Sequence, residues 1–330
     1  MTSTRWKSAL ANPATRAFFA LLLVLCAGAI FNADGAFFKI GTHRDTFRQA
    51  SVYGMLACGM TLVIVSGGID LAVGSLLALA AVCAAKMAIH WGWPGWEAIP
   101  ACLAVGMLCG AISGVVTARL RVQPFIATLS MMVLARGLAK YASGGMKIST
   151  AIQNADGSYK YVDVPPLFKK IDGRIFHDNV SVVTIIFLAC VIVSWLALAR
   201  HRWGRYLYAI GGNEEAARLS GVPVVGAKVC AYAASGLFAA VAGLCQAAQE
   251  QQGDPEAGAG YELTAIAMVV LGGTSLAGGR GGIGLTLLGV LTIGYLEKIL
   301  SINAVPEAGR LVLTGIIIVA AVLTQRRGRT

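Results

Sequence analysis

Charge is scarce in this chain. Only 13% of its 330 residues are Asp, Glu, Lys or Arg, about half the share with which a water-soluble domain covers its surface. With 57% hydrophobic residues and a mean hydropathy of +0.70, this excludes a globule solvated on all sides; hydrocarbon must be much of the solvent. Proline is sparse, nine residues against 40 glycines. Those glycines sit inside Ala/Val/Leu/Ile runs without a Gly-X-Y period, which excludes collagen and disorder. The histidines are four, His43, His90, His177 and His201, and no metal spacing joins them. The eight cysteines form no CxxC pair and fall almost entirely in apolar runs, so they read as small buried hydrophobes. No nucleophile elbow, paired-carboxylate site or dinucleotide fingerprint is present. The chain is therefore expected to move something, not to act as an enzyme.

Acids are rarer than bases, 16 Asp+Glu against 27 Lys+Arg, a net charge of +11. The cations are spread along the chain and form no basic face, so membrane topology accounts for them and a nucleic-acid partner is not expected. A helix crossing the roughly 30 Å hydrocarbon layer needs about 20 mostly apolar residues. Ten runs meet or approach that length: 14–31, 50–65, 71–89, 96–118, 124–142, 180–199, 229–248, 263–276, 283–300 and 311–324. If the N-terminus faces the cytoplasm, Arg5, Lys7, Arg16, Arg119, Arg121, Arg200, Arg202, Arg205, Arg218, Lys228, Arg280 and Arg326 to Arg329 all fall inside, and most acids outside. This predicts an all-α polytopic membrane protein of about ten transmembrane helices with both termini cytoplasmic. The alternative for the first run is a signal peptide, with Ala27-Gly28-Ala29 as the small-residue site; cleavage would leave nine spans and spoil the charge pattern. A single domain covers 1–330. It has cytoplasmic tails at 1–13 and 325–330, an external loop with some structure of its own at 144–179, and a cytoplasmic loop at 200–228.

Two stretches depart from a plain bundle. Ser66-Gly67-Gly68-Ile69-Asp70-Leu71-Ala72-Val73-Gly74-Ser75 breaks a span beside an acid. Interrupted helix at membrane depth is tolerated only where it is buried in protein or lines a cavity. Asp70 is expected to cap the helix that follows, the alternative being a role toward substrate or protons. The stretch Gly272 to Gly284, beginning Gly272-Gly273-Thr274-Ser275-Leu276-Ala277-Gly278-Gly279, repeats the pattern Gly-Gly-x-x-Leu-Ala-x-Gly and ends a short span. Paired breaks of this kind mark a transport path at a repeat interface; the alternative is close packing of small residues. Gly279-Arg280-Gly281 lacks the Lys and strand context of a phosphate loop. Of the charges near spans, Arg136 is the deepest, while Glu297 and Lys298 are expected at an interface.

The loop after the sixth run writes out a short helix. Asn213 is a favoured N-cap, Glu214 and Glu215 fill the first turn, Ala216 and Ala217 are small, Arg218 lies near the end, and Gly221 with Pro223 stops it. A capped helix lying on a membrane face is either a solvated connector or a docking element for a partner's groove.

Several blocks, in order, resemble the membrane permeases of bacterial ribose-type ABC importers. They are Gly59 to Ser75, Gln123-Pro124-Phe125-Ile126-Ala127-Thr128-Leu129 with Arg136-Gly137, Tyr208 to Glu214, Gly260-Tyr261-Glu262 to Ala267, and Gly272 to Gly282. Together they extend over about residues 47 to 324. The resemblance implies a bacterial inner-membrane subunit that pairs with a second permease copy. It would receive a monosaccharide from a periplasmic sugar-binding protein and be driven by a cytoplasmic ABC ATPase. ATP and Mg would belong to that ATPase, and no cofactor to this chain. It makes Gly212 to Arg218 and Gly221 the coupling helix that docks on the ATPase. It also marks Gly67, Gly68, Asp70, Gly74, Ser75, Gln123, Phe125, Thr128, Arg136, Glu262, Gly272, Gly273, Thr274 and Ser275 as path or structural-motif residues. Glu297-Lys298 and the loop at 144–179 depart from the family pattern, so pentoses, hexoses and inositol-like polyols all stay open as cargo. The rival class is an ion-coupled secondary transporter acting without an ATPase. It needs a relay of membrane acids, for which Asp70 is isolated.

Overall fold

The computed structural model describes residues 12–153, 156–313 and 315–316. The long apolar helices are α1 (Pro13–Ile30), α2 (Ile40–Val65), α3 (Val73–Ala85), α4 (Gly95–Ala118) and α5 (Pro124–Ser143). A small insert follows, with strands β1 (Ala151–Gln153) and β2 (Tyr159–Tyr161), helix α6 (Pro166–Ile171), and strands β3 (Arg174–Ile175) and β4 (Val180–Ser181). The chain then runs through α7 (Val182–Ala199), α8 (Arg202–Gly212), α9 (Glu214–Leu219), α10 (Val224–Glu250), α11 (Tyr261–Gly272) and α12 (Ile283–Ile302). It is helical again at 307–313. Among the described residues eight helices have the length and apolarity to cross a membrane, counting α3 with the π turn Lys86–His90 that extends it.

Seven of the ten runs read from the sequence match helices within a few residues. The others are corrected. The run at 50–65 is the second half of a longer helix, α2: its polar first turns survive because Thr46 and Ser51 hydroxyls turn back onto carbonyls one turn earlier and Arg48 pairs with Asp172 in the insert. The run at 263–276 holds only the 12-residue helix α11, whose last turn ends at Gly272. The tenth run is helical at its start, and most of it lies outside the described residues. The insert has its own structure, as expected: β1 pairs antiparallel with β2, and β3 with β4. The first run packs as a span of the bundle, its Gly28 lying against Phe37 and Ile299.

The core is built around α10, which packs along α4, α2 and α3. Gly106, Gly110 and Gly114 recur every fourth residue on α4 and place bare backbone against α10. A Cβ at Gly106 would lie 2.4 Å from Gly236 O, and one at Gly110 2.2 Å from Tyr232 O. Lipid tails are as apolar as Leu, so helices in hydrocarbon gain from close van der Waals contact, and a stripe of glycines permits it. Cys58, Cys102, Cys190 and Cys245 are buried in this packing, whereas Cys26 and Cys230 are exposed, contrary to the reading that all are buried.

Candidate functional site

Both glycine stretches break the bundle, and they do so in the same way. At the first, Gly67 N–H donates to Ile64 O and Gly68 N–H to Val63 O; at the second, Gly273 N–H donates to Val270 O and Thr274 N–H to Val269 O. Each is a Schellman-type stop, and its left-handed residue is a glycine, Gly67 at φ +82° and Gly273 at φ +111°. Each is followed by a side chain that accepts from the backbone two residues on, Asp70 from Ala72 at 3.0 Å and Ser275 from Ala277 at 3.3 Å. The stop motifs align one residue away from the sequence match, Gly67 with Gly273 and not with Gly272. Gly272 instead packs on α12, where a Cβ would lie 2.1 Å from Leu285 O.

The freed backbone groups of the first break are held by neighbours, as burial at membrane depth requires. Ile69 O accepts from the Thr128 hydroxyl at 3.3 Å and from the Tyr232 hydroxyl at 3.4 Å. Asp70 is buried and fastens the turn at Ala72, one residue before α3 begins, so the expected helix cap is a turn-stabilising contact just ahead of it. Its Oδ2 and the Ser235 hydroxyl are buried facing one another without another partner. Asp70→Asn keeps the Oδ1 acceptor and adds a donor toward Ser235, so it is expected to fold. Asp70→Ala loses the anchor at a cost of about 1–2 kcal/mol. The check is the yield of monodisperse protein after extraction: an alanine variant as abundant and as heat-stable as the parent would remove Asp70 from this role.

A third interruption precedes α11. Residues 251–260 are not helical; they pair with Ile148 at Gly253 and then descend beside α3 to Gly258. Gly74 meets this segment so closely that a Cβ there would stand 2.2 Å from Gly258 O and 2.6 Å from Glu262 Oε2. From α5, Arg136 clamps the segment by donating to Pro255 O and, at 2.8 Å, to Ala257 O. Lys140 pairs with Glu256 at 2.6 Å and Lys147 with Asp254 at 2.9 Å. Burial opposes charge on Asp254. Hydrogen bonds from Lys147 and the Glu256 N–H, with the charges of Lys147 and Arg136, outweigh it and hold the carboxyl below its ordinary value. Arg136→Leu should lower stability by about 2–4 kcal/mol, the loss of two charge-assisted bonds. A thermal midpoint equal to that of the parent would show that the clamp is idle.

Ser75, Arg136 and Glu262 share one open cleft of about 430 Å³ between α5 and residues 259–262. Thr274 is fully buried and its hydroxyl accepts from Gly282 N–H at 3.4 Å. Gln123 and Phe125 are not brought to the breaks: both are exposed at the start of α5, whereas Thr128 is buried and reaches Ile69 O.

The short helix expected at 214–221 is present as α9. Asn213 Oδ1 accepts from Ala216 N–H at 3.0 Å, Arg218 pairs with Glu214 at 3.1 Å, and Gly221 takes φ +80°. Glu214 also pairs with Lys228, tying α9 to α10. Ala217 is buried, so only Glu215, Ala216, Arg218 and Leu219 are offered outward, Leu219 being 84% exposed. The preceding helix α8 was not singled out from the sequence. Its signal was the spacing of Gly204, Leu207 and Ile210, which the structure buries while Arg202 and Arg205 stay exposed.

The end of α8 meets both breaks. A Cβ at Gly278 would lie 2.9 Å from the Cα atoms of Gly211 and of Gly67. Gly279 N–H donates to Val65 O at 2.9 Å, directly over Gly211. Three glycine-rich segments far apart in sequence thus converge at the foot of α9.

Sequence reasoning also missed a partly open polar cavity of about 240 Å³ bordered by α2, α10, α11, α12 and the helical turns at 307–313. Tyr53, Gln246, Gln249, Tyr261, Glu297 and Arg310 line it. Glu297, expected merely at an interface, is half-buried on its wall, whereas Lys298 reaches toward Asp45 at 4.0 Å. Among the described residues no group of His, Cys, Asp and Glu is placed to hold a metal.

These features describe a membrane transport subunit: a broken-helix bundle with a short capped helix exposed at one end. A family model described as the permease component of branched-chain amino acid transport systems matches residues 44–322, and the chain belongs to this permease family. It is 41% identical over 312 residues to the Ribose import permease protein RbsC of Escherichia coli strain K12, covering 93% of this chain and 92% of that one. It is 40% identical to RbsC of Haemophilus influenzae, covering 93% and 91%. To the L-arabinose transport system permease protein AraH of Escherichia coli strain K12 it is 36% identical, covering 93% and 88%. No solved structure matches this chain.

Proposed function

We propose that this chain is the permease subunit of an ATP-driven importer that carries a monosaccharide or related polyol across the bacterial inner membrane. The convergence of Gly67, Gly211 and Gly278 at the foot of α9 carries the reading. A push on α9 from outside the membrane meets both helix breaks at once, without an intervening side chain to absorb it. The partner that pushes is a cytoplasmic ATPase, which supplies ATP and Mg; a periplasmic binding protein delivers the sugar; a second copy of the permease completes the pore. The basic loops then face the cytoplasm with both termini. Closure of the ATPases shifts α9, the contact at Gly211 passes the motion to the breaks, and the path changes the side to which it opens. The sugar permeases among the relatives support the cargo class. The test is sugar uptake into proteoliposomes holding the permease, its ATPase and its binding protein. Uptake should require internal ATP and stop when either partner is left out. Uptake by the chain alone down a proton or sodium gradient would overturn the reading.

A further inference from the structure

Most of the bundle interior is Ala, Val, Leu and Gly, and the cavity between α2, α10, α11 and α12 departs from that rule. Polar groups drawn into hydrocarbon carry a desolvation penalty unless something pairs with them. Two of these groups lack that pairing inside the protein: Gln249 Nε2 and Arg310 Nε are sealed from solvent without a hydrogen-bond partner. Both belong to residues on the cavity wall, from α10 and from the turns at 307–313. The wall also carries a carboxylate, Glu297, so its one acid and one guanidinium balance. Tyr53 and Tyr261 add an aromatic surface, with ring centroids 4.4 Å apart and planes tilted by 43°.

Amide, carboxylate and guanidinium groups beside aromatic rings suit a ring-shaped ligand. Its hydroxyls both donate and accept, and its C–H face is apolar. The volume, about 240 Å³, accommodates one such ring; the restriction to a single ring follows the importer reading. We propose that this cavity is a binding site within the permease itself for a single neutral monosaccharide or cyclic polyol, with Gln249 and Glu297 as its principal hydroxyl partners. The proposal takes its cargo class from the importer reading. A charged sugar would leave the Glu297 and Arg310 charges unbalanced and is discriminated against. The site holds its ligand weakly, since a transport site must also release it.

The permease alone in phospholipid nanodiscs is examined by saturation-transfer NMR against ribose, arabinose and myo-inositol, with glucuronate, glucosamine and sucrose as contrasts. At least one neutral single-ring sugar or polyol should bind saturably, and the charged and two-ring compounds should not. Glu297→Gln and Gln249→Leu should each weaken binding about tenfold, the loss of one hydrogen bond to a charged or buried group. In the complete importer the same variants should raise the sugar KM. Tyr261→Phe, which removes one hydroxyl and keeps the ring, covers the case in which a larger change fails to fold. Equal binding by parent and variants, or equal binding of sucrose and glucuronate, overturns the proposal even if ATP-driven uptake is intact. Saturable binding together with uptake that needs neither ATP nor partners would preserve the site and sink the importer reading instead.

Discussion

Gly211→Ala is expected to reduce ATP-driven uptake to background in the reconstituted importer. A Cβ at this position would lie 2.0 Å from Val65 O and 2.4 Å from Gly279 N, both backbone atoms. Neither can rotate away, because they are hydrogen-bonded to each other at 2.9 Å. The methyl group must therefore part the end of α2 from the second break, at the point where the end of α8 engages both. Overpacking of this kind costs about 1–3 kcal/mol, a modest fall in thermal midpoint, while the contact proposed to pass motion is lost entirely. Gly284→Ala on α12 is the control: nothing lies within 4 Å of the added atom, so uptake should be retained. Binding of the ATPase to the Gly211 variant, measured in detergent, should persist, since α9 itself is untouched. Uptake by Gly211→Ala equal to that of the control would remove the glycine contact from the mechanism.

Leu219→Asp should impair the importer at a different step. Leu219 is 84% exposed at the end of α9, and if α9 docks on the ATPase as proposed, so large an apolar side chain presented to water is expected to anchor in the partner. Putting a carboxylate there leaves the internal contacts of α9 intact, because these run through Asn213, Glu214 and Ala217. Loss of a buried anchor costs about 2 kcal/mol or more, roughly thirtyfold in affinity. ATPase binding and uptake should fall together, with the thermal midpoint of the isolated permease unchanged. Glu214→Arg makes the contrast, because it breaks the pairs with Arg218 and Lys228 and should loosen α9 itself. A Leu219→Asp variant that binds the ATPase normally would show that α9 docks through another face or does not dock.

Much of this protein was legible before its structure. Low charge and long apolar runs are properties of composition and local order, so they determined the class, the approximate spans and the expected basic face. The α9 cap was legible for the same reason: Asn213, Glu214, Arg218 and Gly221 act within a turn or two of one another, and short-range geometry follows from spacing. The breaks at Gly67 and Gly273 were legible as breaks, because glycine pairs interrupt an apolar run wherever they occur.

What those breaks touch was decided only by tertiary packing. Gly67, Gly211 and Gly278 carry no side chain whose chemistry could advertise a meeting, and their contact depends on how α2, α8 and α11 are stacked. Arg136 was singled out as a deep charge, but its partners are carbonyls of Pro255 and Ala257, and backbone acceptors leave no trace in residue type. The cavity was invisible for a further reason. Gln246, Gln249 and Glu297 are scattered singly in apolar helices, each unremarkable alone, and they form a site because α10, α11 and α12 turn those particular faces toward one another. Sequence periodicity determined that these helices would form; the contacts between their faces, set by small residues allowing close approach, decided which polar groups would share a space.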